Sequence, residues 1–141
     1  MGKINLGRVL LGGIVAGIVA DILDYPIDGI WLAPRWSAAL THLGLFTAFS
    51  MKQIVAFNLI GIAGGIVTIW VYAAIRPRFG AGARTAMNTG IVIWFLAALL
   101  PNVSLYVTHI LPRGLTLYTT LGSLVEIVVG TVAGAYLYKE A

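Results

Sequence analysis

Residues 115–138, LTLYTTLGSLVEIVVGTVAGAYLY, decide the fold. The run is long enough to cross a bilayer, because about 20 apolar residues span the hydrocarbon core. One ionisable side chain, Glu126, interrupts it near its centre. A carboxylate at that depth costs about 3 kcal/mol even on lenient insertion scales, so it has to face protein or a water-filled cavity. A lone hydrophobic anchor offers neither. The expected fold is an all-α, polytopic membrane bundle that shelters an acid.

Composition agrees with this. Of the 141 residues, 60% are hydrophobic and 10% are charged, and the mean hydropathy is +0.95. A soluble domain needs no such balance, whereas four spans with short connections use most of the chain. A single integral membrane domain over 1–141 is expected. The pI of about 9.7 invites a nucleic-acid partner, but the basic residues flank apolar segments and form no surface stripe. The lipid bilayer is the expected partner instead. The absence of cysteine excludes disulfides, thiolate nucleophiles and Cys-based metal sites. His42 and His109 are too few for a two-haem bis-His cytochrome, and no cofactor is expected. A metal remains open.

Working outward from residues 115–138, three more spans are predicted at about 6–28, 54–75 and 85–105. The second carries no charge and is expected to stop at Arg76-Pro77-Arg78, since proline cannot extend the hydrogen-bond ladder. The third has Pro101 near its far end. The first has an uninterrupted apolar stretch only over Val9–Ala20, about 18 Å of helix. To cross, it must carry Asp21 and Asp24 into the membrane. Lys3 and Arg8 before that stretch resemble a signal peptide, but Ile18-Val19-Ala20 lacks the small residue wanted before a cut. An uncleaved first helix is expected. Residues 36–50 are read as a short re-entrant or interfacial helix. The competing fifth crossing over Ser37–Met51 is short and contains His42.

With both termini inside, Lys3, Arg8, Arg76, Arg78, Arg84 and Lys139 lie on the inner side and Arg35, Lys52 and Arg113 on the outer. That distribution satisfies the positive-inside bias. Aromatic residues form two belts, with Trp31, Trp36, Tyr106 and Tyr118 outside and Trp70, Tyr72, Tyr136 and Tyr138 inside.

At about 100° per residue, Gly13, Gly17, Ala20, Asp21, Asp24 and Asp28 fall in one sector of the first helix. Small residues permit close helix approach, and the stripe turns acidic toward the outer leaflet. The fourth helix repeats the pattern with Gly122, Glu126, Gly130 and Gly134. The second offers Asn58, Gly61, Gly65, Thr68 and Tyr72. Asp21 lies thirteen residues from Arg8 and Glu126 thirteen from Lys139, so both sit about 20 Å from the inner interface. The shared level makes contact between them possible if the first and fourth helices are adjacent. The candidate ligand- or ion-binding residues are Asp21, Asp24, Glu126, Asn58, His109 and His42, around an outward-opening pocket. The plainer alternatives are an interfacial Asp28, an Asp24 paired with Arg35 or Arg113, and a neutral Glu126 bonded to Asn58, Ser123 or a tyrosine. The histidines also read as ordinary interfacial residues.

The halves show a faint correspondence. Arg8, Gly13-Ile14-Val15 and Pro26 parallel Arg84, Gly90-Ile91-Val92 and Pro101, as in a parallel repeat about the membrane normal. The run Val71-Tyr72-Ala73-Ala74-Ile75-Arg76-Pro77-Arg78-Phe79-Gly80, with Tyr136-Leu137-Tyr138-Lys139-Glu140, resembles small uncharacterised four-helix integral membrane proteins of bacteria. The resemblance implies a multi-pass protein of the bacterial plasma membrane and carries no activity.

Three functions compete. Intramembrane carboxylates by default mark a path or site for a cation, a proton or a cationic solute. Glycine seams equally suit an accessory subunit of a larger membrane complex, or a homo-oligomer. An intramembrane enzyme has the weakest support, because no nucleophile, phosphate loop or metal-spaced motif is present.

Overall fold

Four apolar runs, punctuated by glycine, proline and charge, fold as four long helices in a computed structural model that describes residues 3–46 and 48–140. We label the helices α1 (Leu6–Trp31), α3 (Met51–Phe79), α4 (Ala83–Thr108) and α5 (Arg113–Leu137). A shorter helix, α2 (Ala33–His42), connects the first pair. Among the described residues there is no strand. The shortest long helix has 25 residues. That length rises about 38 Å, more than the roughly 30 Å of hydrocarbon it must cross. The chain is a multi-pass membrane protein.

Local chemistry sets the ends. The Asn5 side chain accepts from the Arg8 backbone N–H at 3.2 Å and caps α1. Ser50 and Gln53 form a reciprocal capping box at the start of α3. Gly80, at φ 86°, ends α3 with its N–H on the Arg76 carbonyl at 2.9 Å. Pro77 therefore does not stop the second span, contrary to expectation. It lies inside the last turn, where a proline forfeits a single backbone bond before the helix ends anyway.

Prolines within α1 and α4 are accommodated differently. The turns Tyr25–Trp31 and Phe95–Leu99 widen to π geometry, one containing Pro26 and the other just before Pro101. A widened turn relieves the clash between the ring and the preceding carbonyl. Both helices consequently run past the expected ends at 28 and 105. The interfacial segment begins and ends earlier than expected. It is helical from Ala33, stops at His42 and is followed by Gly44 at φ 71°. Its ten residues rise about 15 Å, so the fifth crossing does not form. Leu32 and Ala39 pack with Leu115 and hold α2 against the C-terminal end of α1 and the N-terminal end of α5.

The long helices are arranged in the order α3, α1, α5, α4, with only slight contact between α3 and α4 to close the ring. Buried residues run the whole length of α5, whereas those of α4 are confined to its first half, at Thr85, Ala86, Thr89 and Gly90, so α4 has a marginal place in the bundle. This breaks the suggested repeat: α1 and α4 share a widened proline turn but not a packing environment. The single acidic stripe of α1 also resolves into two adjacent seams. Gly13 and Gly17 press on Ile66 and Ile62 of α3, while Gly12 and Ala16 press on Gly134 and Gly130 of α5. At the other end of the bundle the Tyr72 hydroxyl accepts from the Gly82 N–H at 3.1 Å, and Tyr72 meets the Tyr138 ring edge-on at 6.0 Å.

These seams tolerate no added atom. A Cβ on Gly17 would lie 2.8 Å from the Gly61 carbonyl oxygen and 2.9 Å from the Ile62 nitrogen. Backbone cannot swing aside, so Gly17→Ala should destabilise the protein by about 1–3 kcal/mol despite alanine's better helix propensity. Gly64 has nothing within 4 Å of such a Cβ, and Gly64→Ala should be neutral or stabilising. Denaturation midpoints of the two variants in one detergent check the contrast.

Candidate functional site

The α1–α5 seam places Glu126. Gly12 faces Gly134 and Ala16 faces Gly130, so in antiparallel register the Glu126 backbone lies opposite Ala20. Helical side chains lean toward their own N-terminus, which on α5 is the end beside the C-terminal turns of α1. The Glu126 carboxyl therefore reaches past the level of Asp21 to the next turn of α1. There, one carboxylate oxygen from each of Asp24, Asp28 and Glu126 lies within 4.8 Å of the others. Glu126 is only 7% exposed, Asp28 is half-buried and Asp24 is exposed. The cluster thus grades from the bundle interior to its surface.

Asp21 belongs elsewhere. Its carboxylate covers Gly61 of α3, where a Cβ would lie 3.1 Å from the Asp21 Cγ. Glu126 clusters with Asp24 and Asp28 and not with Asp21, because Asp21 and Asp24 lie on different seams of α1. Asn58 is exposed on α3 and donates to its own helix at the Ile54 carbonyl, 2.8 Å away. His42 is exposed at the end of α2. His109 is exposed, ends α4 in the left-handed region at φ 56° and bonds the Arg113 guanidinium. None of these three joins the acid cluster.

Asp28 is held firmly. The Trp36 indole N–H donates to its Oδ1 at 2.7 Å, tying α2 to α1. The Thr119 hydroxyl approaches the same oxygen at 3.5 Å while donating to the Leu115 carbonyl at 2.9 Å. Asp28 was expected to be an ordinary interfacial acid, and Trp36 and Thr119 were not expected at the site. Their signal was available in spacing: Asp24 and Asp28 are four apart on one face, and Thr119 precedes Glu126 by two turns.

No counter-charge answers the cluster. Among the described residues the one ion pair joins Arg76 to Glu140 at 3.3 Å, at the opposite end of the bundle. Arg35 instead stacks over the Trp31 and Tyr118 rings at 5.5 and 4.8 Å, and Arg113 over Tyr106 at 5.3 Å. Asp24 therefore pairs with neither arginine. The hydrogen-bonding partners envisaged for Glu126 are also otherwise engaged. Asn58 is turned to Ile54, and Ser123 donates to the Thr120 carbonyl at 2.9 Å. The Glu126 Oε1 atom is buried with no hydrogen-bond partner. Gly122 leaves room for it, since a Cβ there would lie 3.3 Å from Oε1 and 2.8 Å from the Ile27 side chain.

No protein-family model matches the chain, no curated protein aligns with it significantly, and no solved structure is significantly similar. Function has to be read from the site itself.

A buried polar atom without a partner costs about 1–3 kcal/mol. Glu126→Met keeps the side-chain length and removes the stranded oxygen, so it should raise the thermal midpoint in cation-free detergent buffer. A lowered midpoint would show that the carboxyl contributes to the fold.

Proposed function

We propose that this chain is a small membrane protein that binds a cation, from the outer side, at Asp24, Asp28 and Glu126, and that the site serves binding or permeation. The observation that carries the reading is the unpartnered, buried Glu126 oxygen beside two further acids without a counter-charge. Interhelical glue would use that oxygen in a hydrogen bond. A cation site leaves it free for the ligand. The gradation from buried Glu126 to exposed Asp24 gives an approach from the outer surface.

The expected setting is a bacterial plasma membrane with both termini in the cytoplasm, supported by the charge bias of the connecting segments. The cysteine-free sequence makes this directly testable. A cysteine introduced at Ala48 should react with a membrane-impermeant maleimide in intact cells, and one at Ala81 only after permeabilisation. The opposite pattern would invert the topology and turn the site inward.

A second reading, a subunit of a homo-oligomer or larger membrane complex, is favoured by one feature. From Phe95 to Thr108 no residue of α4 is buried, although this segment is as apolar as the rest of the span. The two readings are compatible, because four helices make a thin wall for a complete path.

Glu126→Gln preserves shape and removes the charge. In proteoliposomes loaded with cation- and pH-sensitive dyes, it should reduce cation or proton flux at least tenfold while the protein remains folded. Unchanged flux would reject a permeation role for this carboxylate.

A further inference from the structure

We propose that Asp24, Asp28 and Glu126 form a site for a hard divalent cation of calcium size. The assignment rests on the cation-binding reading above and narrows it to one class of ion. Three features of the site support it.

The donor set is the first. All three residues offer carboxylate oxygen, with the Thr119 hydroxyl beside Asp28. All-oxygen sites suit calcium, magnesium and manganese rather than softer metals, which prefer imidazole or thiolate. Neither histidine joins the cluster, and the chain has no cysteine.

Size is the second. Two oxygens bound to one ion can be separated by at most twice the metal–oxygen distance. That limit is about 4.6–5.2 Å for calcium and about 4.0–4.2 Å for magnesium. The cluster oxygens all lie within 4.8 Å of one another, a spacing that the calcium limit accommodates. Magnesium also demands octahedral regularity, and Asp28 Oδ1 is already fixed by Trp36 at 2.7 Å. Calcium accepts irregular ligation.

The third is charge, together with the lack of any hydrogen-bond partner for the buried Oε1 of Glu126. Three carboxylates face one another with no arginine, lysine or histidine within ion-pairing distance among the described residues. Glu126 Oε1 is buried, unpartnered and part of the residue that closes the cluster from the bundle interior. A divalent ion supplies both the missing coordination and more compensation than a monovalent one. The same close approach in a low-dielectric interior makes each unit of compensating charge count for more than it does in water.

Terbium is a luminescent stand-in for calcium, and the Trp36 indole contacts Asp28, so bound terbium should be sensitised by tryptophan excitation. The test uses the full chain in nanodiscs of zwitterionic lipid. Terbium should give a saturable signal that calcium displaces at a concentration at least tenfold lower than magnesium does. Glu126→Gln and, at the exposed end of the site, Asp24→Asn should each weaken calcium competition at least tenfold. Glu140→Gln, at the opposite end of the bundle, should titrate as the unaltered protein. Equal displacement by calcium and magnesium would overturn the size assignment, and normal titration of both site variants would overturn the site. If calcium fails to bind while Glu126-dependent flux of a monovalent cation or proton persists, the divalent assignment falls and the broader reading stands. If both are absent, both fall.

Discussion

A carboxyl oxygen buried without a partner is the constraint from which the rest of this structure takes its meaning. Membrane interiors penalise such an atom heavily, and the conventional remedies are engaged elsewhere. Ser123 and Asn58 both bond to backbone of their own helices instead. Arg35 lies over two aromatic rings, and Arg113 is taken up by His109 and Tyr106. The bundle is therefore built so that the polar groups nearest the Glu126 carboxyl are other acids. A fold optimised for stability alone has no reason to keep that arrangement.

Close helix contact makes the arrangement possible. Gly12, Ala16, Gly130 and Gly134 bring α1 and α5 together and fix the register that sets Glu126 beside Asp24. Gly13, Gly17, Gly61 and Gly65 do the same between α1 and α3. Without a hydrophobic driving force in lipid, van der Waals contact between such faces holds helices together. The same residues that stabilise the bundle thus position the site.

Much of this was legible in the residues. The spans follow from length and hydropathy, and their membrane character from the scarcity of charge. The small residues of α1, α3 and α5 were recognisable as seams. What periodicity left unresolved was angular detail. Asp21 and Asp24 are three residues apart and fall in one broad sector, yet one faces α3 and the other α5. A helical wheel assigns a face but not the neighbour that occupies it. Counting residues places the Glu126 backbone at the level of Asp21, as found, but the lean of side chains toward helix N-termini carries its carboxyl one turn further. Asn58 was misplaced because its face of α3 turns outward before the seam with α1 begins. Proline effects were read too simply as well, since π turns let α1 and α4 continue past them.

The widened turn in α1 also bears on the site. In a regular α-helix, residues four apart overshoot a full turn, so a stripe of such residues drifts steadily around the axis. The stretch between Asp24 and Asp28 lies in the π segment Tyr25–Trp31, where more residues are needed to complete the turn. The step from Asp24 to Asp28 consequently falls short of a full turn instead of overshooting it. Asp28 is thereby rotated back into reach of Thr119 on α5 and Trp36 on α2. Pro26 is therefore more than a tolerated break in the ladder. By favouring the widened turn, it helps bring the third carboxylate to the site. The corresponding turn at Pro101 in α4 has no acidic residue to orient, in keeping with the marginal place of that helix in the bundle.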